Sequence, residues 1–313
     1  MFILLALATV IVLIILCALY AYIKTFYVSG KQKDTGAHMP ESPEFSKVSD
    51  HIQELADKFD QVPCQWVSTT AFDGKKLFAR YYEIEKGAPL HIQFHGYRGS
   101  SSRDFCGGAL LAHSRGYNTL TVDQRAHGKS DGHTITFGIK ERFDCLTWIN
   151  YAIEQFGEDT QIVLSGISMG GATVLMAAEL NLPKNVIGIM VDCPFSSPAE
   201  IIKNVCKVNL KMPTNIVFPF VRLGGLIFGR FDICSATALE SVKSSNIPLL
   251  IIHGETDTLI PYEMSKELYL NSAATDKKLE VFLGADHGLS YLVDPKKYEM
   301  LFDEFCKKLK SGV

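Results

Sequence analysis

Hydrophobic and polar positions divide this chain into two unlike parts. Residues 1–23 contain no charged side chain and are rich in Leu, Ile, Val and Ala. A helix needs about 20 such residues to cross a bilayer, so a transmembrane helix is predicted here. Tyr20, Tyr22 and Tyr27 fall where an interfacial aromatic belt would lie. Lys24 ends the run, followed by Lys31 and Lys33. A cleaved signal peptide would want a basic start and an apolar stretch of only ~7–15 residues. The run reads instead as an uncleaved anchor. The lysines after it put the rest of the chain on the cytoplasmic side by the positive-inside rule.

Residues 24–65 read as a linker plus a short amphipathic helix. Residues 29–45 hold turn-forming and charged types, and then Val48, Ile52, Leu55, Ala56 and Phe59 recur at helical spacing. From Trp66 onward the period changes. Trp66–Thr70 and Lys76–Glu83 flank the turn dipeptide Asp73-Gly74, which predicts a β-hairpin. Short apolar runs follow at Leu90–Phe94, Thr119–Val122, Gln161–Leu164, Val186–Val191, Leu249–Ile252 and Leu279–Phe282. Between most of them lie helical stretches, at Ile139–Phe156, Met169–Leu180, Tyr262–Leu270 and Pro295–Lys308. Strands alternating with helices predict a mostly parallel sheet covered on both faces. Residues 198–242 break the alternation, as an inserted lid would; a packed insert remote from substrate is the alternative.

Composition changes little in this picture. Of 313 residues, 47% are hydrophobic and 21% charged, and the net charge of −3 comes without a basic stripe. No nucleic-acid partner is therefore expected. None of the eight cysteines lies in a C-x-x-C pair or at zinc-ligand spacing, which fits a reducing compartment.

The chemistry concentrates at three places. Gly166-Ile167-Ser168-Met169-Gly170 sits between an apolar run and a helical one, the strand–turn–helix setting of a nucleophile elbow. Side chains at 166 or 170 would collide with backbone in so sharp a turn. Ser168 is thus the candidate nucleophile, and it needs a base. His287 follows the last strand candidate, in Gly284-Ala-Asp-His-Gly288, and is the only histidine after His253. The acid belongs between them in chain order, and Asp257 is preferred. Glu255 shares its loop, and Asp192, at the end of Val186–Val191, is the other rival. Asp286 reads as a loop cap and His253 as structural. The backbone N–H groups of Tyr97 and Met169 are the expected oxyanion donors. His95 and the segment Asp123–Ser130 read as supports for the oxyanion loop.

These motifs, HGYRG at 95–99, DQRAHGKS at 123–130, GISMGG at 166–171, HGETDTLIP at 253–261 and GADHG at 284–288, resemble bacterial α/β hydrolases related to serine aminopeptidases and monoacylglycerol lipases. The likeness runs from about Trp66 to the C-terminus, giving a hydrolase domain over 66–313. It implies an eight-stranded, mostly parallel sheet with a cap after the sixth strand, where 198–242 falls. It also implies no metal or organic cofactor, and hydrolysis of an ester, thioester or amide of a small acyl substrate. The apolar cap and the anchor favour a lipid-like ester. A serine aminopeptidase is the rival enzyme; the cap's few acids, Glu200 and Asp232, argue against a site for a free α-amine. A membrane-tethered binding protein on a hydrolase scaffold is the rival outside enzymes, though such proteins usually lose a triad member.

Overall fold

The computed structural model describes residues 1–30 and 43–311. Lys31, Lys33 and the centre of the predicted linker lie outside the described residues. Helix α1 (Phe2–Thr25) is followed by α2 (Pro43–Asp60) and the strands β1 (Gln65–Thr70) and β2 (Lys76–Tyr82). β1 and β2 pair antiparallel, with Gly74 supplying the left-handed φ of +79° between them. Then come β3 (Leu90–Phe94), α3 (Ser101–Asp104), α4 (Cys106–Ser114), β4 (Asn118–Asp123), α5 (Glu141–Phe156), β5 (Ile162–Ile167), α6 (Met169–Ala177) and β6 (Val186–Asp192). The chain ends with β7 (Leu249–Gly254), α10 (Tyr262–Asn271), β8 (Lys277–Phe282), α11 (Ser290–Val293) and α12 (Pro295–Ser311).

The strands form one eight-stranded sheet in the order β1-β2-β4-β3-β5-β6-β7-β8. β2 joins β4 antiparallel, and every pairing from β4 to β8 is parallel. Every residue of β3, β4 and β7 is buried, as strands covered on both faces require. The sheet's C-terminal edge places the loops after β3, β5, β7 and β8 side by side, and there the chemistry-bearing motifs meet.

Residues 198–242 lie between β6 and β7. They fold as α7 (Pro198–Asn204), a π-turn at Val205–Asn209, α8 (Thr214–Gly224), a second π-turn at Gly225–Gly229, and α9 (Ala238–Val242).

Parts of the stretch read as linker plus amphipathic helix pack against the domain. Phe26 is fully buried and packs edge-on against Phe137 and Phe231, with centroids 5.9 and 5.1 Å away. Val28 N–H donates to the His133 carbonyl at 2.9 Å, and Ile135 N–H to Phe26 at 2.8 Å. Phe26 and Val28, within the stretch read as linker, are thus buried against the domain, while Lys24 and Tyr27 stay exposed. The amphipathic helix α2 likewise buries Ile52, Ala56 and Phe59 against Tyr82, Phe105 and Cys106.

Candidate active site

Ser168 sits between β5 and α6 with φ 55° and ψ −117°, a backbone setting that a non-glycine residue holds only under strain. Both glycines are demanded by contact. A Cβ on Gly166 would fall 2.2 Å from Gly170 backbone, and one on Gly170 only 1.8 Å from the Phe94 carbonyl. The strain at Ser168 and these two close approaches together turn its hydroxyl toward the cavity it lines.

His287 enters the same cavity from the loop after β8. Its Nδ1 is 2.8 Å from Asp257 Oδ2, in the loop after β7. The other Asp257 oxygen accepts the N–H groups of Leu259 and Ile260 at 2.9 and 2.7 Å. Burial by itself would raise the Asp257 carboxyl, but the imidazole charge and these donated hydrogen bonds outweigh it and hold the pKa below the ordinary value. Burial would lower His287, yet Asp257 opposes it, with help from Asp192 and Asp286, and the imidazole titrates above its usual range. Among the described residues no hydrogen bond joins Ser168 to His287; the two side chains face one cavity.

The rival acids lie elsewhere. Asp192 is buried at the end of β6 and accepts a hydrogen bond from Ser290 at 3.1 Å, not from His287. Burial pushes it up to about 7. Glu255 accepts from the Gly284 N–H at the loop surface. Asp286 ties two loops together by accepting from Thr258 N–H and His287 N–H, both at 2.8 Å. His253 is fully buried between Ser265 and the Ile260 carbonyl. Cys193 Sγ lies within 4.8 Å of ligand atoms on Asp257 and His287. Burial raises that thiol well above its usual value, so it is protonated at neutral pH and a poor metal ligand.

Tyr97 and Met169 border Ser168, and no protein acceptor takes the N–H of either among the described residues. Their loop is braced from below. The Gly96 N–H donates to Asp104 at 2.7 Å, and Arg103 pairs with the same carboxylate. His95 receives the Gln124 N–H, and His127 the Arg98 N–H. Arg125 holds Asp144 through two bonds of 2.6 Å and reaches Asp73. The end of α1 adds a brace invisible in the sequence. The Tyr97 hydroxyl donates to the Thr25 carbonyl at 2.9 Å, and Arg98 donates to Lys24 and Tyr27 carbonyls at 3.2 Å.

The cavity holds about 540 Å³. Its apolar wall departs from expectation. Phe45, Ile52 and Leu55 of α2, with Phe105, Leu289 and Leu292, line it, whereas Asn209 is the cap residue that reaches it. The cap phenylalanines turn away: Phe228 meets Tyr22 and Phe231 meets Phe26. The helical spacing around Ile52 carried the signal for α2, but nothing local told that it would face the site.

Comparison with known proteins agrees with this architecture. A family model described as alpha/beta hydrolase fold matches residues 92–216, and one described as serine aminopeptidase, S33, matches 233–293. The chain is 25% identical to the Bacillus subtilis protein YqkD over 63% of this chain and 64% of that one. It is 25% identical to zebrafish lysophosphatidylserine lipase ABHD12, over 64% of this chain and 52% of the lipase. The chain thus spans less than two thirds of either relative. An esterase from Pyrococcus furiosus superposes with a TM-score of 0.65 at 23% identity, covering 82% of this chain and 92% of that one. The chain has the α/β-hydrolase fold, and among the described residues one helix, near the N-terminus, is long and apolar enough to cross a membrane.

Proposed function

We propose that this protein is a membrane-anchored serine hydrolase that cleaves carboxylic esters with lipid-like acyl groups. The observation that carries this reading is one cavity shared by Ser168 on its strained elbow and a His287 already bonded to a buried Asp257. Ser168 Oγ attacks the ester carbonyl while its proton passes to His287 Nε2. Asp257 fixes the tautomer and stabilises the imidazolium that forms. The N–H groups of Tyr97 and Met169 receive the negative oxygen of the tetrahedral intermediate. His287 then protonates the departing alcohol, leaving an acyl-enzyme. Water, deprotonated by the same imidazole, attacks it and frees the acid and Ser168.

The apolar wall from α2 suits an acyl chain, and the esterase and lipase named above support ester chemistry. The S33 match keeps aminopeptidase chemistry as the second reading. The cavity offers no free carboxylate for an α-amine: Asp104 is paired with Arg103, Asp286 caps two backbone groups, and Asp192 is buried against Ser290. A fluorophosphonate probe on the full-length protein tests the chemistry. Labelling is expected in the wild type and absent in Ser168→Ala; an unlabelled wild type would instead mark a binding protein. p-Nitrophenyl acyl esters should be cleaved far faster than aminoacyl amides, and the opposite ranking would favour the peptidase. We place the catalytic domain on the cytoplasmic face, because Lys24, Lys31 and Lys33 follow the helix. Digestion of that domain by protease added outside intact cells would reverse this assignment.

A further inference from the structure

The cap carries a row of exposed apolar side chains. From within the first π-turn toward α8 the sequence reads Lys207-Val-Asn-Leu-Lys-Met212, every residue of it exposed. Val208, Leu210 and Met212 are 54, 58 and 43% exposed, and Ile216 on the first turn of α8 is 57% exposed. So many apolar groups in one short stretch mark an interaction surface rather than scattered exposure.

The packing of α8 on α1 shows what covers it. Gly224 lies so close to α1 that a Cβ would fall 2.5 Å from the Ala18 carbonyl and 3.0 Å from the Tyr22 side chain. Phe228 then meets Tyr22 at 5.7 Å, and Phe231 meets Phe26 at 5.1 Å. The contacts advance together along both chains, so α8 and α1 run side by side in the same sense. At about 1.5 Å per residue, the first turn of α8 lies roughly 15 Å nearer the free end of α1 than Gly224 does. The exposures along α1 agree, falling from 72% at Leu4 to 40% at Ile14 and Ile15. The part of α1 before its first buried residue, Phe2 to Cys17, is about 24 Å long, short of the roughly 30 Å hydrocarbon thickness of a bilayer. A membrane crossed by α1 must therefore extend past Ala18, and so takes in the level of the first turn of α8.

We propose that the cap tip, Lys207–Met212 with Ile216, is seated in the membrane beside α1. Val208, Leu210 and Met212 enter the interface, and Lys207 and Lys211 meet lipid phosphates. Asn209, between Val208 and Leu210, lines the Ser168 cavity. The tip thus puts the cavity's cap-side edge against the bilayer, and a single-chain ester enters from the lipid without crossing water. This rests on the reading of α1 as a spanning helix, and its last clause on the hydrolase reading.

The test uses the full chain in phosphatidylcholine–phosphatidylglycerol vesicles. In Leu210→Trp, acyl-chain-brominated lipids should quench tryptophan fluorescence beyond the level set by Trp66 and Trp148 in the wild type. Quenching no greater than in the wild type overturns the proposal, and this readout requires no turnover. Val208→Asp combined with Leu210→Asp should slow hydrolysis of a vesicle-borne long-chain monoester at least about ten-fold, because apolar burial in the interface is lost. Hydrolysis of soluble p-nitrophenyl acetate should be unchanged. Equal loss on both substrates, or on neither, overturns delivery from the bilayer. Release of the wild type from vesicles by alkaline carbonate would refute the spanning reading of α1 and this proposal with it. Retention with an unquenched Leu210→Trp would refute this proposal alone. If Ser168→Ala still cleaves both esters, the Ser168 nucleophile assignment falls while the quenching result stands.

Discussion

Replacing Asp257 by Asn separates the two candidate acids by a difference large enough to measure. Asn keeps the shape of Asp257 and removes the charge that faces His287 Nδ1 at 2.8 Å. In the transition state the imidazole is positive. With charge centres about 4 Å apart and an effective dielectric of ~20, the lost attraction is roughly 4 kcal/mol. That corresponds to about a thousand-fold in kcat. An amide that turns its NH2 toward Nδ1 would also favour the wrong tautomer, taking the loss toward ~10⁴-fold. Asp192→Asn touches Ser290 rather than the imidazole, and burial already leaves Asp192 half protonated near neutrality. Its cost in kcat should stay below about ten-fold, since only a remote charge is removed. The assay is p-nitrophenyl butyrate hydrolysis by full-length protein in detergent, with circular dichroism to confirm folding. A greater loss in Asp192→Asn than in Asp257→Asn would refute the assignment of Asp257.

Further expectations follow from the same contacts. Because His287 must be neutral to act as base and its pKa is raised, the acid limb of kcat/KM should fall above pH 6.5; an inflection below 6.5 in the wild type would contradict the Asp257 pairing. Asp192 has its native pKa raised to about 7, so the native state binds more protons than the unfolded chain and loses stability as pH rises from ~4 toward 7. Asp192→Asn should therefore melt at a higher temperature than the wild type at pH 8, by up to a few kcal/mol, with a smaller gain at pH 5. Gly170→Ala should cost more than about 3 kcal/mol in chemical denaturation, since its Cβ meets backbone that cannot move aside. Tyr97→Phe keeps the backbone donor and loses only the bond to Thr25, so kcat should fall several-fold with KM and melting temperature little changed; an unchanged kcat would show that the α1 brace has no part in catalysis.

The elbow was legible because its constraint is local. Gly166 and Gly170 are required by atoms within four residues or on the adjoining strand, and a pentapeptide carries that requirement. The alternating strands were legible for a related reason, since five consecutive buried positions in β3 admit few other readings. The roles of Phe26 and Val28 were hidden because their partners, His133, Ile135, Phe137 and Phe231, lie more than a hundred residues away. Just past the apolar run of residues 1–23, those two residues read as linker. The cap misled differently. Phe228 and Phe231 pack on Tyr22 and Phe26, and composition cannot say which neighbour an apolar side chain serves.

The packing of the folded domain continues into the end of the apolar run. One face of α1 is shared: Ala18 and Tyr22, with Phe26 just past the helix, are buried in the domain, while Leu4, Leu7 and Ile11 on that same face stay exposed beyond it. Tyr22 shows the overlap most directly, with its hydroxyl 2.6 Å from Thr134 and its ring against Phe228. A chain begun at residue 29 would lose Phe26 from the core and the carbonyls that hold Tyr97 and Arg98. One begun at Trp66 would also lose Ile52, Ala56 and Phe59, and with α2 the apolar wall of the cavity. Removing a buried aromatic of this kind costs about 3–5 kcal/mol, a large share of a typical domain's stability. The helix that reads as a tether is thus also part of the folded core, and the loop carrying Tyr97 and Arg98 leans on the place where it leaves the apolar run.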